Sequence, residues 1–174
     1  MRSVAALAAM KAGVATVKIT PTELPFFLSG YAARTKPAAK VAMDLHAKAL
    51  ALEDASGKRA VLVTLDLIGI PGDLRSEIAA DLRASHGLDP EALLLNCSHT
   101  HSGPAIRENL EIMFAFDAEH QAKTARYRAF LRKAIAGAAG EALDRLKPAS
   151  LDYGVGHAEF AADRRALRLK DANP

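Results

Sequence analysis

The chain has 174 residues, half of them hydrophobic, and 23 Lys and Arg against 20 Asp and Glu give a net charge of +3. That length fits one soluble globular domain able to bury about two-thirds of its unfolded surface, and no run approaches the ~18 apolar residues that cross a bilayer. The basic residues are mixed with acidic ones and not interleaved with aromatics, which argues against nucleic-acid binding, and the single Cys97 excludes an internal disulfide. With no Trp, the core must rest on Leu, Ile, Val and numerous Ala, so helices pack closely while burying little area each.

Residues 1–12, MRSVAALAAMKA, place Arg2 before a short apolar run and are expected to be a tail or the remnant of a signal peptide. From Gly13 to Thr20, Val14, Val17 and Ile19 predict a strand that Pro21 ends. Residues 21–40 form a long loop, punctuated by Pro21, Pro25, Gly30 and Pro37 yet rich in Phe26, Phe27, Leu28 and Tyr31. A loop of that length and apolarity is functional or covered. Leu45–Leu52 and Arg59–Ile68 predict two strands joined by a turn at Asp54–Gly57, the second almost wholly apolar and therefore central.

Gly72–His86 carries Leu74, Ile78, Ala79 and Leu82 at helical spacing, with Asp73 near its start and Gly87 just past its end, which predicts an amphipathic helix. Ala92–Leu95 predicts a short buried strand. Strand, helix and strand together call for parallel pairing through a right-handed crossover, with ligands expected beyond the carboxyl ends of the strands. Residues 118–146 predict one long helix with an apolar stripe through Tyr127, Leu131, Ile135 and Leu143. Its basic face (Lys123, Arg126, Arg128, Arg132, Lys133) reads as solvated surface. Ser150–Val155 predicts a last strand before the charged ending ADRRALRLKDANP. The fold class is α/β: a mixed, partly parallel sheet layered with helices.

The chemistry is concentrated in NCSHTHSGP, on the loop leaving an inner strand. In extended backbone His99 and His101 face opposite ways, so both ligate one metal only if the loop bends; otherwise one binds metal while the other faces substrate. A loop histidine is also commonly an ordinary hydrogen-bonded surface group.

The segment NCSHTHSGPA resembles the SHTHSGP-type motif of the neutral ceramidase family, and other blocks resemble that family in the same order. They are GVATVKITPTELPFFLSGYAAR, LHAKALAL, AVLVTLDLIGI and DRRALRLKDANP, so the resemblance runs from about Gly13 to Pro174. It implies a Zn2+-dependent hydrolase of amide bonds acting on a ceramide-like N-acyl lipid, with peripheral membrane contact at most and a secreted or periplasmic location. Residues 13–174 would then be the N-terminal part of a larger catalytic domain. The resemblance makes His99 a zinc ligand, His101 a proton-transferring or substrate-polarising residue, Gly30 part of the pocket wall and Arg164 a polar substrate contact.

Each of these residues has a structural alternative. Gly30 can serve a turn, Arg164 can pair with Asp163 or Asp171, and His46, Asp66 and His157, the other candidate companions of His99, can be ordinary hydrogen-bonded groups. Only one ligand is strongly placed where a catalytic zinc takes three, so the remaining ligands are expected downstream of this sequence. Three positions depart from the family pattern: Asp163 where Asn is common before Arg, Ala42 where many members carry His, and Ala105 where a further Gly is frequent. A silent metal-binding or scaffold domain, and a hydrolase of another amide or ester, are the competing readings.

Overall fold

Strands β1 (Met10–Lys18), β2 (His46–Glu53), β3 (Arg59–Leu65), β4 (Leu93–Cys97) and β5 (Lys147–Ala149) form one sheet in the order β4-β3-β2-β1-β5. This is seen in a computed structural model that describes residues 10–31, 34–106 and 116–160. Only β3 and β4 run parallel; the other neighbours are antiparallel. The parallel pair is the predicted crossover unit, its two strands bridged by helix α1 (Gly72–His86). The asparagine-free turn at Asp54 works because the Asp54 carboxylate accepts the amides of Ser56 and Lys58, which fixes the β2–β3 reversal.

Strand side chains alternate between faces, and the register aligns the small and branched ones on a single face. One cross-strand row is Ala15, Ala49, Val63 and Leu95; the next is Gly13, Ala51, Val61 and Leu93. Helices α1 and α2 (Ala118–Asp144) complete this core, with Leu74, Ile78, Leu131 and Ile135 fully buried. A Cβ on Gly13 would lie 2.1 Å from the Ala142 carbonyl oxygen, so α2 rests almost directly on the β1 backbone. Alanines at 15, 49, 51, 138, 139 and 142 allow the same close approach, which is how an aromatic-poor core reaches full burial. The opposite face of the sheet carries the row Val14, Leu50, Leu62 and Leu94, of which Val14 and Leu94 are exposed.

Helix α1 has the predicted limits, closed by Gly87 at φ 61 with its amide bonded to the carbonyls of Leu82 and Arg83. Four expectations are corrected. Strand β4, expected to be an inner, buried strand, is an edge of the sheet with Leu94 exposed, while β3 is interior as expected, between β4 and β2. Strand β1 begins at Met10, inside the expected tail, because residues 10–12 pair with Lys147–Ala149. The last strand is that short edge segment and not Ser150–Val155. Pro148 lacks an N–H, which an edge strand tolerates, and Leu151, Tyr153 and Val155 stand exposed without regular structure. Residues 151–160 belong to a unit separate from Leu7–Ser150. No helix among the described residues is long and apolar enough to cross a membrane.

The basic face of α2 is the fourth, corrected in part: Arg126 and Lys133 are exposed as expected, whereas Lys123 and Arg128 are largely buried. Arg132 holds Asp81 through two bonds of 2.7 Å, Arg128 bonds Asp73 and Glu77, and Arg126 grips Glu23, while Lys123 is buried and donates to the Pro25 carbonyl at 3.0 Å. These residues fasten α2 to α1 and to the loop after β1. The Arg132 hydrogen bonds hold the Asp81 carboxyl below its usual 3.8, and the Leu74 amide, then Arg128, do the same for Asp73. A carboxylate whose folded pKa is depressed stabilises the fold above its unfolded value, and that contribution is lost as pH falls through the folded pKa. Melting temperature is therefore expected to be level from pH 8 to 5 and to fall below a pH of about 4. Circular-dichroism melts across that range check this, and an unchanged midpoint at pH 3 would contradict it.

Candidate active site

The carboxyl ends of β3 and β4 open beside the loop that follows β1. Beyond β4, the Ser98 amide donates to the Leu65 carbonyl at 2.9 Å and carries the ladder one residue past the strand. His99 then takes φ 57, a left-handed conformation uncommon for residues other than glycine. Loop 21–40 is drawn against this turn by three contacts: Ser29 N to Gly103 O at 2.9 Å, Ala105 N to Phe27 O at 2.7 Å, and a bridge between Leu28 and Pro104.

The loop bends at His99, the condition under which both histidines can face one metal. Their rings lie on the same side, in edge contact with centroids 5.2 Å apart. His99 Nδ1 lies 3.0 Å from the Ile68 carbonyl oxygen. A carbonyl only accepts, so in the neutral ring Nδ1 carries the proton and Nε2 keeps its lone pair. This is the arrangement by which a backbone carbonyl orients a metal-binding imidazole, and the exposed His99 side chain leaves Nε2 accessible.

His101 occupies a slot. A Cβ on Gly30, which has φ 104, would lie 2.5 Å from His101 Cγ, so the imidazole rests on bare backbone. Tyr31 meets the ring edge-on at 4.9 Å, and Arg34 donates through Nη1 to the His101 carbonyl at 2.8 Å. Gly30 thus serves both the turn and the clearance under His101. Tyr31 and Arg34 were not singled out as site residues in the sequence; an aromatic and an arginine three residues apart, directly after Gly30, were the available signal.

Other candidates are placed elsewhere. The Asp66 carboxylate accepts the His46 amide at 2.9 Å, and the Asp66 amide donates to the His46 carbonyl at 3.1 Å, so this pair fastens the start of β2 to the end of β3. His157 bonds Glu159 within the separate 151–160 unit. Arg164 and Asp163 lie outside the described residues. Among the described residues, no three His, Cys, Asp or Glu side chains cluster as a metal site. Burial pushes the Cys97 thiol up, away from reactivity.

Beside the histidine loop lies a cavity of about 360 Å3, bounded by Thr100 and Ser102 on one side and by Leu24, Leu28, Val41 and Met43 on the other. Leu28 and Phe26 both line it, Phe26 while packing edge-on against Tyr127 of the core, whereas Phe27 packs on Phe116 and His120. Ala42 is on the cavity wall and Ala105 is buried behind the motif.

Residues 10–174 match the family model described as neutral/alkaline non-lysosomal ceramidase, N-terminal. The chain belongs to that ceramidase family. The fold of the neutral ceramidase of Pseudomonas aeruginosa superposes with a TM-score of 0.66 at 24% identity, covering 81% of this chain and 22% of that one. A ceramidase complexed with C2 superposes at 0.65 with 25% identity and the same coverage. The chain therefore spans about a fifth of the solved ceramidases it matches. No curated protein matches the sequence. In ceramidase-family terms, the fold described here is a five-stranded mixed sheet with two long helices on one face, carrying the HxH loop at the parallel strand ends.

Proposed function

We propose that this ceramidase-family domain supplies one wall of a zinc-dependent site that hydrolyses the amide bond of an N-acyl lipid. The observation that carries the reading is His99, held left-handed with Nδ1 bonded to the Ile68 carbonyl and with no hydrogen bond to Nε2 among the described residues. His99 would hold the metal, and its remaining ligands would come from residues outside those described. Bound there, zinc supplies a water of lowered pKa and polarises the amide carbonyl.

The chain's own residues do the rest. Among the described residues, no hydrogen bond reaches the ring nitrogens of His101, so they are free to take a proton from an attacking water and return it to the leaving nitrogen. The slot of Gly30 and Tyr31 keeps that ring beside His99. The apolar cavity next to Thr100 and Ser102 suits a hydrocarbon chain lying alongside the scissile amide. Arg164 is proposed to contact the polar part of the substrate.

Zinc content and hydrolysis of N-acylsphingosine, measured with and without added zinc, test the proposal. Zinc-stimulated release of fatty acid by this chain, or by a version extended with its native downstream sequence, is expected. Neither metal nor turnover in both forms would leave a scaffold role. Cleavage of short N-acyl amines but not N-acylsphingosine would assign another substrate to the same chemistry.

A further inference from the structure

We propose that Arg34 is a positioning residue for His101, acting through the backbone carbonyl of that histidine and through Tyr31. The inference rests on His101 being the proton-transfer group. A histidine that takes and returns a proton needs one open ring nitrogen on an aimed ring, and a hydrogen bond to its other nitrogen is the common way to hold that aim. Among the described residues no hydrogen bond reaches either ring nitrogen of His101, so its aim rests on packing against the Gly30 backbone beneath it and the edges of Tyr31 and His99.

Arg34 secures two of these from one side chain. Its amide donates to the Tyr31 carbonyl at 2.9 Å. The guanidinium carbon sits 5.2 Å from the centre of the Tyr31 ring, a cation on the aromatic face of a side chain that is 61% exposed. Nη1 donates to the His101 carbonyl at 2.8 Å and to the Ser29 carbonyl at 3.3 Å. One planar group therefore joins the residues before and after Gly30 to the histidine resting on that glycine. Lysine offers a point charge without the flat face that stacks on Tyr31.

The test is Arg34→Gln in the whole chain, with Arg34→Lys as the conservative variant and Arg132→Gln as a control that cuts a distant ion pair between the helices. In the first variant, the His101 ring-proton signals should move toward those of a free imidazole as the Tyr31 ring current is lost. Where the protein turns over N-acylsphingosine, kcat should fall about tenfold with KM and zinc affinity unchanged. Arg34→Lys should recover part of both, and Arg132→Gln should lower the melting temperature while leaving the His101 signals in place.

A His101 signal and kcat unmoved in folded Arg34→Gln protein would overturn the proposal, even if stability dropped. Should that variant fail to fold, the same comparison is made on Arg34→Lys, where an unmoved His101 is equally fatal. If the wild-type protein hydrolyses no amide, the catalytic reading fails, while the ring signals still decide the role of Arg34.

Discussion

Gly30→Ala is expected to destabilise the chain by about 2–6 kcal/mol and to turn the His101 imidazole out of its slot. Two costs combine. The backbone at φ 104 strains any residue bearing a Cβ, and the added methyl would lie within 2.7 Å of His101 Cγ, Cβ and Nδ1. Backbone strain and overpacking each contribute about 1–3 kcal/mol. The slot has little room to relax, because Gly30 follows Ser29, whose amide is bonded to Gly103 and whose hydroxyl donates to the Pro104 carbonyl. Denaturant unfolding gives the energy and the histidine ring signals report the displacement. Wild-type stability with an unmoved His101 would contradict the close packing of Gly30 on that ring.

His99→Ala is expected to remove tight zinc binding, weakening it by more than about 100-fold. His101→Ala should leave zinc in place and lower turnover by about 10²–10⁴-fold, the usual contribution of a positioned acid–base group. The asymmetry follows from the site: His99 is oriented by a carbonyl on Nδ1, whereas His101 is oriented by packing. His99→Ala also removes a ring edge from beside His101, so its effect on turnover should equal or exceed that of His101→Ala. Zinc titration calorimetry separates the two variants, and equal metal loss in both would refute the division of roles.

The parts of this fold legible in the sequence are those set by local pattern. Helix α1 announces itself through Leu74, Ile78 and Leu82 on one face and Gly87 at its end. The β2–β3 hairpin is marked by the Asp54–Gly57 turn, and the β3–α1–β4 order by itself demands a parallel pair. What local pattern cannot supply is contact between distant residues. The β5 edge depends on pairing 147–149 with residues 10–12, and the ion pairs of Arg128 and Arg132 depend on α1 lying against α2. A basic helix face looks solvated until its acidic partner is docked.

The site divides in the same way. The HxH spacing and the strand-end location of His99 and His101 could be read directly, but alternation along an extended chain pointed the two rings apart. The left-handed turn at His99 is imposed from outside, by the Ile68 carbonyl on one side and loop 21–40 on the other. Gly30 could be read as a turn residue, whereas its role as the floor beneath His101 spans 71 positions of sequence and appears only when the loops meet. His46 and Asp66 are near each other as expected, yet the backbone bonds between them show a strand fastening.

The most direct test is a zinc titration of the wild-type chain followed by nitrogen-detected NMR of its histidine rings. A large shift of His99 Nε2, with Nδ1 of the same ring keeping its proton and His101 free at both nitrogens, would establish His99 as the ligand and His101 as the neighbouring proton carrier. Zinc that shifts His86, His120 or His157 while His99 stays unmoved would remove the metal from this loop and, with it, the case for hydrolysis here.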